Sequence, residues 1–175
     1  MLQNYIAYRI LQAFFDSPMH SFHLRELARL VKIGLPSVRN HVRRLEREGL
    51  VLKSKKGIYP TYAAMRDSAL FKTYKRNDVL LRLHTSGLVG YLEREMWPGA
   101  VVLFGSAARG EDIERSDVDL LIVAKERELD LRPFEKALAR PVRPLFEPEP
   151  WKLSKELLNN VANGVVVYGY LKVFK

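Results

Sequence analysis

Residues 103–123 read LFGSAARGEDIERSDVDLLIV, two apolar runs separated by a small-residue turn and an acidic loop. The first run, Ala100–Phe104, is short, continuous and apolar, as a buried strand is. Gly105, Ser106, Ala107 and Ala108 follow, then Arg109 and Gly110. Ser116, Asp117, Val118 and Asp119 lead into the second run, Leu120–Val123, which reads as another strand. Asp117 and Asp119 stand two apart at its start, and the two-residue period of a strand puts both carboxylates on one face. Val118 and Leu120 face the other way.

This pattern suits a particular chemistry. Two carboxylates held side by side repel each other unless a cation lies between them. Mg²⁺ is a hard ion that takes carboxylate and phosphate oxygens. A Gly-Ser turn at the start of a helix offers backbone N–H groups and a hydroxyl to a phosphate. Gly105 lets the backbone approach closely. Strand, turn, loop and carboxylate pair together describe a metal–triphosphate site. The site is not a P-loop, because the chain lacks the Gly-Lys-Ser/Thr that such a loop requires.

Downstream, Leu131–Ala139 reads as a helix, Val142–Glu147 as a strand and Trp151–Asn160 as a helix. Val165–Tyr168 is a last apolar run, either a strand or a buried helix end. The prolines of RPVRPLFEPEPW, residues 140–151, leave the register of the middle strand open. Arg143 either faces the carboxylate pair or is aimed at solvent. Upstream, residues 66–97 read as two or three helices interrupted near Gly87, with Leu80, Leu81, Leu83, Leu88, Val89 and Leu92 supplying the apolar faces. The first of them is a candidate dimer contact. His84, alone among leucines, reads as structural.

The N-terminal third has a different character. Residues 1–65 hold 11 Lys+Arg and 4 Asp+Glu, whereas residues 66–175 hold 18 and 16. The chain's net charge of +9 therefore belongs mostly to that third, which suggests an acidic partner such as nucleic acid. Leu2–Phe15 carries a helical apolar repeat that Asp16, Ser17 and Pro18 end. Leu24, Leu27, Ala28 and Val31 mark a second helix. Pro36 fits the first turn of a third, on which Val38, Val42 and Leu45 share one face. At 100° per residue, Asn40, Arg43 and Arg47 point the opposite way, flanked by Arg39 and Arg44. Leu50–Ser54 and Ile58–Ala63 read as strands around a tip at Lys55, Lys56 and Gly57.

Two resemblances rest on these residues. Three helices and a basic hairpin, carried by HLRELARLVKIGLPSVRNHVRRLEREGLVLKSKKGIYPTYA, resemble the winged-helix form of the helix-turn-helix. The resemblance implies binding to double-stranded DNA. Ser37, Arg39, Asn40, Arg43 and Arg44 would meet base edges or phosphates, and Lys53, Lys55 and Lys56 the flanking backbone. A winged helix used only between proteins would leave the same arginines as a solvated face. The second stretch, LFGSAARGEDIERSDVDLLIV, resembles the signature of the polymerase-β-type nucleotidyltransferases and lies nearest their minimal members. That resemblance implies Mg²⁺ held by Asp117 and Asp119, and ATP or another NTP held by Gly105, Ser106, Arg109 and Ser116, the last by orienting the loop. It also implies a third carboxylate on a later strand. That residue would fall near Val142–Pro144, where Arg143 stands, so the third carboxylate is either lost or displaced, with Glu147 the displaced candidate for the role. An arginine there would partly neutralise the site and could take over a metal's charge. Related minimal nucleotidyltransferases modify a HEPN-type RNase, so a protein hydroxyl on such a partner is a candidate acceptor.

The expected architecture is α+β: a winged helix over 1–65, a helical connector over 66–97 and a nucleotidyltransferase domain over 98–175. Two functions follow from different classes. One is an enzyme that transfers a nucleoside monophosphate. The other is a DNA-binding regulator, a homodimer on its operator, whose second domain is a nucleotide sensor or scaffold. At 47% apolar and 28% charged the composition is that of an ordinary globular protein. The absence of cysteine excludes disulfides, thiolate zinc and a cysteine nucleophile. No apolar run approaches the roughly 18 residues that span a bilayer. The N-terminus lacks the basic start and cleavage site of a signal peptide. A cytoplasmic protein with no membrane partner is expected.

Overall fold

The computed structural model describes residues 5–54 and 58–175. Lys55 and Lys56, expected at the hairpin tip, lie outside the described residues. Among the described residues the chain is α+β, with eight α-helices, a two-stranded sheet and a mixed four-stranded sheet. It divides into two compact units, Met1–Lys75 and Arg76–Lys175. No helix among the described residues is long and apolar enough to cross a membrane.

In the first unit, α1 (Ile6–Asp16), α2 (Leu24–Val31) and α3 (Leu35–Arg47) each turn one apolar stripe inward. Ile10, Leu11, Phe14 and Phe15 of α1 meet Leu27 and Val31 of α2 and Val38, Val42 and Leu45 of α3 in one core. Helix ends are set by local chemistry. The side chain of His23 accepts the Glu26 N–H, and the Glu26 carboxylate accepts the His23 N–H at 3.3 Å, a reciprocal cap for α2. Pro36 occupies the first turn of α3, where a missing N–H costs nothing. Arg9 Nη2 donates to the Val31 carbonyl at 2.7 Å, tying α1 to the end of α2. The strands β1 (Val51–Ser54) and β2 (Thr61–Ala64) pair antiparallel, and Phe22 bridges to Tyr62 beside them. The second strand starts at Thr61, later than the Ile58 expected, because Pro60 has no N–H to give the ladder.

The boundary between the units falls inside α4 (Ala69–Thr85), so the expected connector 66–97 is shared between them. Phe71 belongs to the first core, edge-on to Phe15 with centroids 5.2 Å apart. Leu83 belongs to the second. Gly87, at φ 84°, breaks the chain between α4 and α5 (Leu88–Met96). His84, read as structural, is exposed, because the inward stripe runs through Val79 and Leu83.

The second sheet has the order β5-β4-β3-β6. Its strands are β3 (Ala100–Phe104), β4 (Val118–Ile122), β5 (Val142–Phe146) and β6 (Val165–Gly169). The strand β3 lies antiparallel to β4 and β6, and β5 lies parallel to β4. Both faces are covered, as the continuous apolar strands require. Val101, Leu103, Val118, Leu120, Ile122 and Val142 share a core with α4, α5 and Leu138 of α7 (Arg132–Leu138). On the opposite face Ala100, Val102 and Leu121 meet Val161 of α8 (Lys155–Ala162). The last helix starts later than the expected Trp151. A 3-10 turn occupies Pro150–Lys152, and the Ser154 hydroxyl caps α8 by accepting the Leu157 N–H at 3.3 Å. The run Val165–Tyr168 is resolved as a strand. The edge strand β5 carries Pro144, and the pairing of β6 with β3 slips at Val101/Val102, leaving Val167 bulged.

Candidate functional site

The end of β3 and the starts of β4 and β5 form one row. Phe104 pairs with Asp119, and Asp119 pairs with Arg143. Partners in a ladder point their side chains to the same side. Leu121 and Leu145, next along the two strands on that side, lie together in the smaller core under α8. The register left open by the prolines is thereby set: Arg143 shares a face with the carboxylates.

Three interactions hold this row in place. The buried carboxylate of Asp112, in the loop before β4, makes an ion pair with Arg140, the residue two before β5. The Val118 N–H donates to the Pro141 carbonyl at 2.9 Å, starting the parallel pairing. The Glu135 carboxylate accepts the Val142 N–H at 2.9 Å. Between them, Ser116 closes the turn before Asp117: its hydroxyl accepts the Ile113 N–H at 2.9 Å, and its own N–H donates to the Ile113 carbonyl.

Gly105 begins α6 (Gly105–Arg109) at φ 73°, a conformation that disfavours any side chain. A Cβ at this position would stand 2.5 Å from Oδ2 of Asp119. The carboxylate therefore occupies the space that the glycine leaves, and Gly105 and Asp119 are built as one unit. Asp119 is half-buried, and burial raises its carboxyl above the ordinary carboxylate range. The charge of Arg143 opposes that shift, and the charge of Asp117 adds to it. Asp117 is half-exposed just before β4, and Ser106 is half-exposed in the first turn of α6.

One expected member is elsewhere. Glu147 is not with the pair: its N–H donates to the Ile122 carbonyl, at the far end of β4, and its carboxylate accepts the Glu149 N–H at 2.9 Å. At about 3.3 Å per residue, four strand positions separate it from Arg143 by roughly 13 Å. The assignment of Glu147 as third carboxylate is corrected accordingly. Arg109 is exposed and paired with Glu111 at 2.8 Å. Among the described residues no group of three or more His, Cys, Asp or Glu is placed to hold a metal. The donor set is thus two aspartates with a guanidinium across from them. Its oxygen donors are of the kind that a hard divalent cation takes. The buried Asp112–Arg140 pair went unnoticed in the sequence, since residues 28 apart give no local signal.

In the first unit, Arg39, Asn40, Arg43, Arg44 and Arg47 of α3 are exposed, and Ser37 is half-exposed. Arg44 is engaged with Glu48 at 2.8 Å, one turn on. Lys53 on β1 is exposed as well. A cavity of about 480 Å³ opens between α2, α3 and the residues before β2, lined by His23, Arg25, Arg29, Arg39, Tyr59 and Pro60 among others. Arg25 and Arg29 are one turn apart on α2 and exposed, a pairing the sequence carried in plain i, i+4 spacing.

No curated protein and no solved structure matches this chain. Residues 91–159 match the family model of the nucleotidyltransferase domain, a span that holds Gly105, Ser106, Asp117, Asp119 and Arg143 together.

Proposed function

We propose that the first unit is a winged helix that binds double-stranded DNA, and that the second binds a magnesium nucleoside triphosphate and transfers its nucleoside monophosphate to an acceptor hydroxyl. The observation that carries the nucleotide reading is the contact between Gly105 and Asp119, inside the stretch matched to the nucleotidyltransferase family. Asp117 and Asp119 would hold Mg²⁺, which when bound polarises the phosphates and screens their charge. Gly105 and Ser106 would present N–H groups and a hydroxyl to the phosphates. In the transfer, the acceptor oxygen bonds to the α-phosphorus as the bond to the bridging oxygen breaks. Pyrophosphate leaves with that electron pair, and the acceptor's proton passes to solvent. A hydroxyl on a HEPN-type protein partner fits as acceptor.

The DNA reading rests on α3. Its apolar face, Val38, Val42 and Leu45, is buried, and its opposite face presents Arg39, Asn40 and Arg43 to solvent. Helices docked in the major groove use such a face for base edges and phosphates. Lys53 adds a cation on β1. Two copies would read a palindromic operator.

Calorimetric titration of ATP and Mg²⁺ into the wild type and Asp117→Ala/Asp119→Ala, with pyrophosphate release on the same samples, tests the second unit. Metal-dependent binding that the double variant loses, with pyrophosphate released, supports transfer. A mobility shift on random-sequence duplex, abolished by Arg39→Ala/Arg43→Ala, tests the first. A second reading is favoured by the pairing of Asp119 with Arg143. In it the second unit binds nucleotide without turnover and acts as a sensor for the DNA-binding unit. Binding without pyrophosphate selects that reading.

A further inference from the structure

Arg143 stands beside Asp119, whose carboxylate packs against Gly105. It shares a ladder rung with Asp119, on the sheet face that also holds Leu121 and Leu145. The Arg140–Asp112 ion pair and the Val142–Glu135 hydrogen bond fix the start of its strand from both sides. Its side chain is exposed, and its positive charge is felt at Asp119. Two aspartates and one divalent cation make a neutral set, and the guanidinium leaves it with one positive charge. Among the described residues no third His, Cys, Asp or Glu joins the two aspartates in a metal-holding group, and a second divalent cation would face that guanidinium. A triphosphate meets the opposite situation, because a planar guanidinium grips phosphate oxygens in pairs.

We infer that Arg143 takes the place of a second divalent cation, so that this unit holds a nucleoside triphosphate with a single metal ion and a guanidinium on its phosphates. The inference rests on the nucleotide reading above. It does not rest on the acidic pair alone, since the family match spans the same residues.

Manganese bound per nucleotide, measured by electron paramagnetic resonance on the full chain with a non-hydrolysable ATP analogue, is the test. One Mn²⁺ per nucleotide is expected in the wild type and two in Arg143→Asp. In EDTA, the wild type should retain weak binding of the analogue, and Arg143→Ala should lose at least tenfold of it, with Arg143→Lys between the two. The exposure of Arg143 lets these variants keep the wild-type melting temperature, which is checked alongside. Two Mn²⁺ per nucleotide in the wild type, or an Arg143→Ala chain that binds as tightly as the wild type in EDTA, overturns the inference and leaves the nucleotide reading standing. A wild type that binds no nucleotide with Mn²⁺ overturns both.

Discussion

Arg43 of the first unit projects from α3 into solvent, whereas Arg140 of the second is 8% exposed and closes an ion pair with Asp112. The same side chain thus does two kinds of physical work. On α3 the cations are held in water, where they cost the fold little and remain available to a polyanion. Beside β5 the cation is withdrawn from water, so its partner must be present or the fold suffers. The first unit leaves its charge on the surface, and the second uses charge to hold the strands that carry Asp119 and Arg143.

The largest effect should come from removing one half of the buried pair. Asp112→Ala leaves Arg140 charged and buried, and should destabilise the second unit by about 3–5 kcal/mol in chemical unfolding. Replacing both partners with apolar residues should recover most of that loss; no recovery would mean that the pair supplies more than mutual compensation. Gly105→Ala comes next. It combines a positive φ with a Cβ against Oδ2 of Asp119, and should cost about 1–3 kcal/mol and at least tenfold in ATP affinity by calorimetry.

On the other side, Arg43→Ala should leave the melting temperature unchanged and weaken duplex binding about tenfold in fluorescence anisotropy. Arg44→Ala should weaken it less, because Arg44 is already engaged by Glu48. Equal losses from the two would show that the Glu48 pair opens on DNA.

The smallest effect concerns Asp119. Burial raises its carboxyl in the folded chain above the unfolded value. Its contribution to stability is therefore full below the unfolded value and is lost as pH rises through the folded one. Once ionised, the group works against the fold, so Asp119→Asn should melt no lower than the wild type while losing metal binding. A lower melting temperature would show that the carboxylate is a structural partner of Gly105.

Local patterns carried most of this to the reader of the sequence. The apolar stripes of α1 to α3, the first-turn Pro36, and Gly105 with the Asp117–Asp119 pair were readable because each depends on neighbours a turn or a strand period away. What failed depended on pairing between distant segments. Whether Arg143 or Glu147 stands opposite Asp119 is a matter of the β4–β5 register, and a crossover of some twenty residues hides it. His84 has leucines around it in sequence, yet the helix turns it outward. The Arg140–Asp112 contact had no sequence pattern at all.

The borders of the four-stranded sheet have a consequence for solubility. At one border Pro144 removes an N–H from β5, and at the other the bulge at Val167 twists the rim of β6. Neither rim offers the flat, regular row of donors and acceptors that a neighbouring molecule needs to extend the sheet. Strands as apolar as AVVLF and VVVYG would otherwise be natural templates for fibre growth. Both borders thus disfavour growth of the sheet by pairing with a further strand.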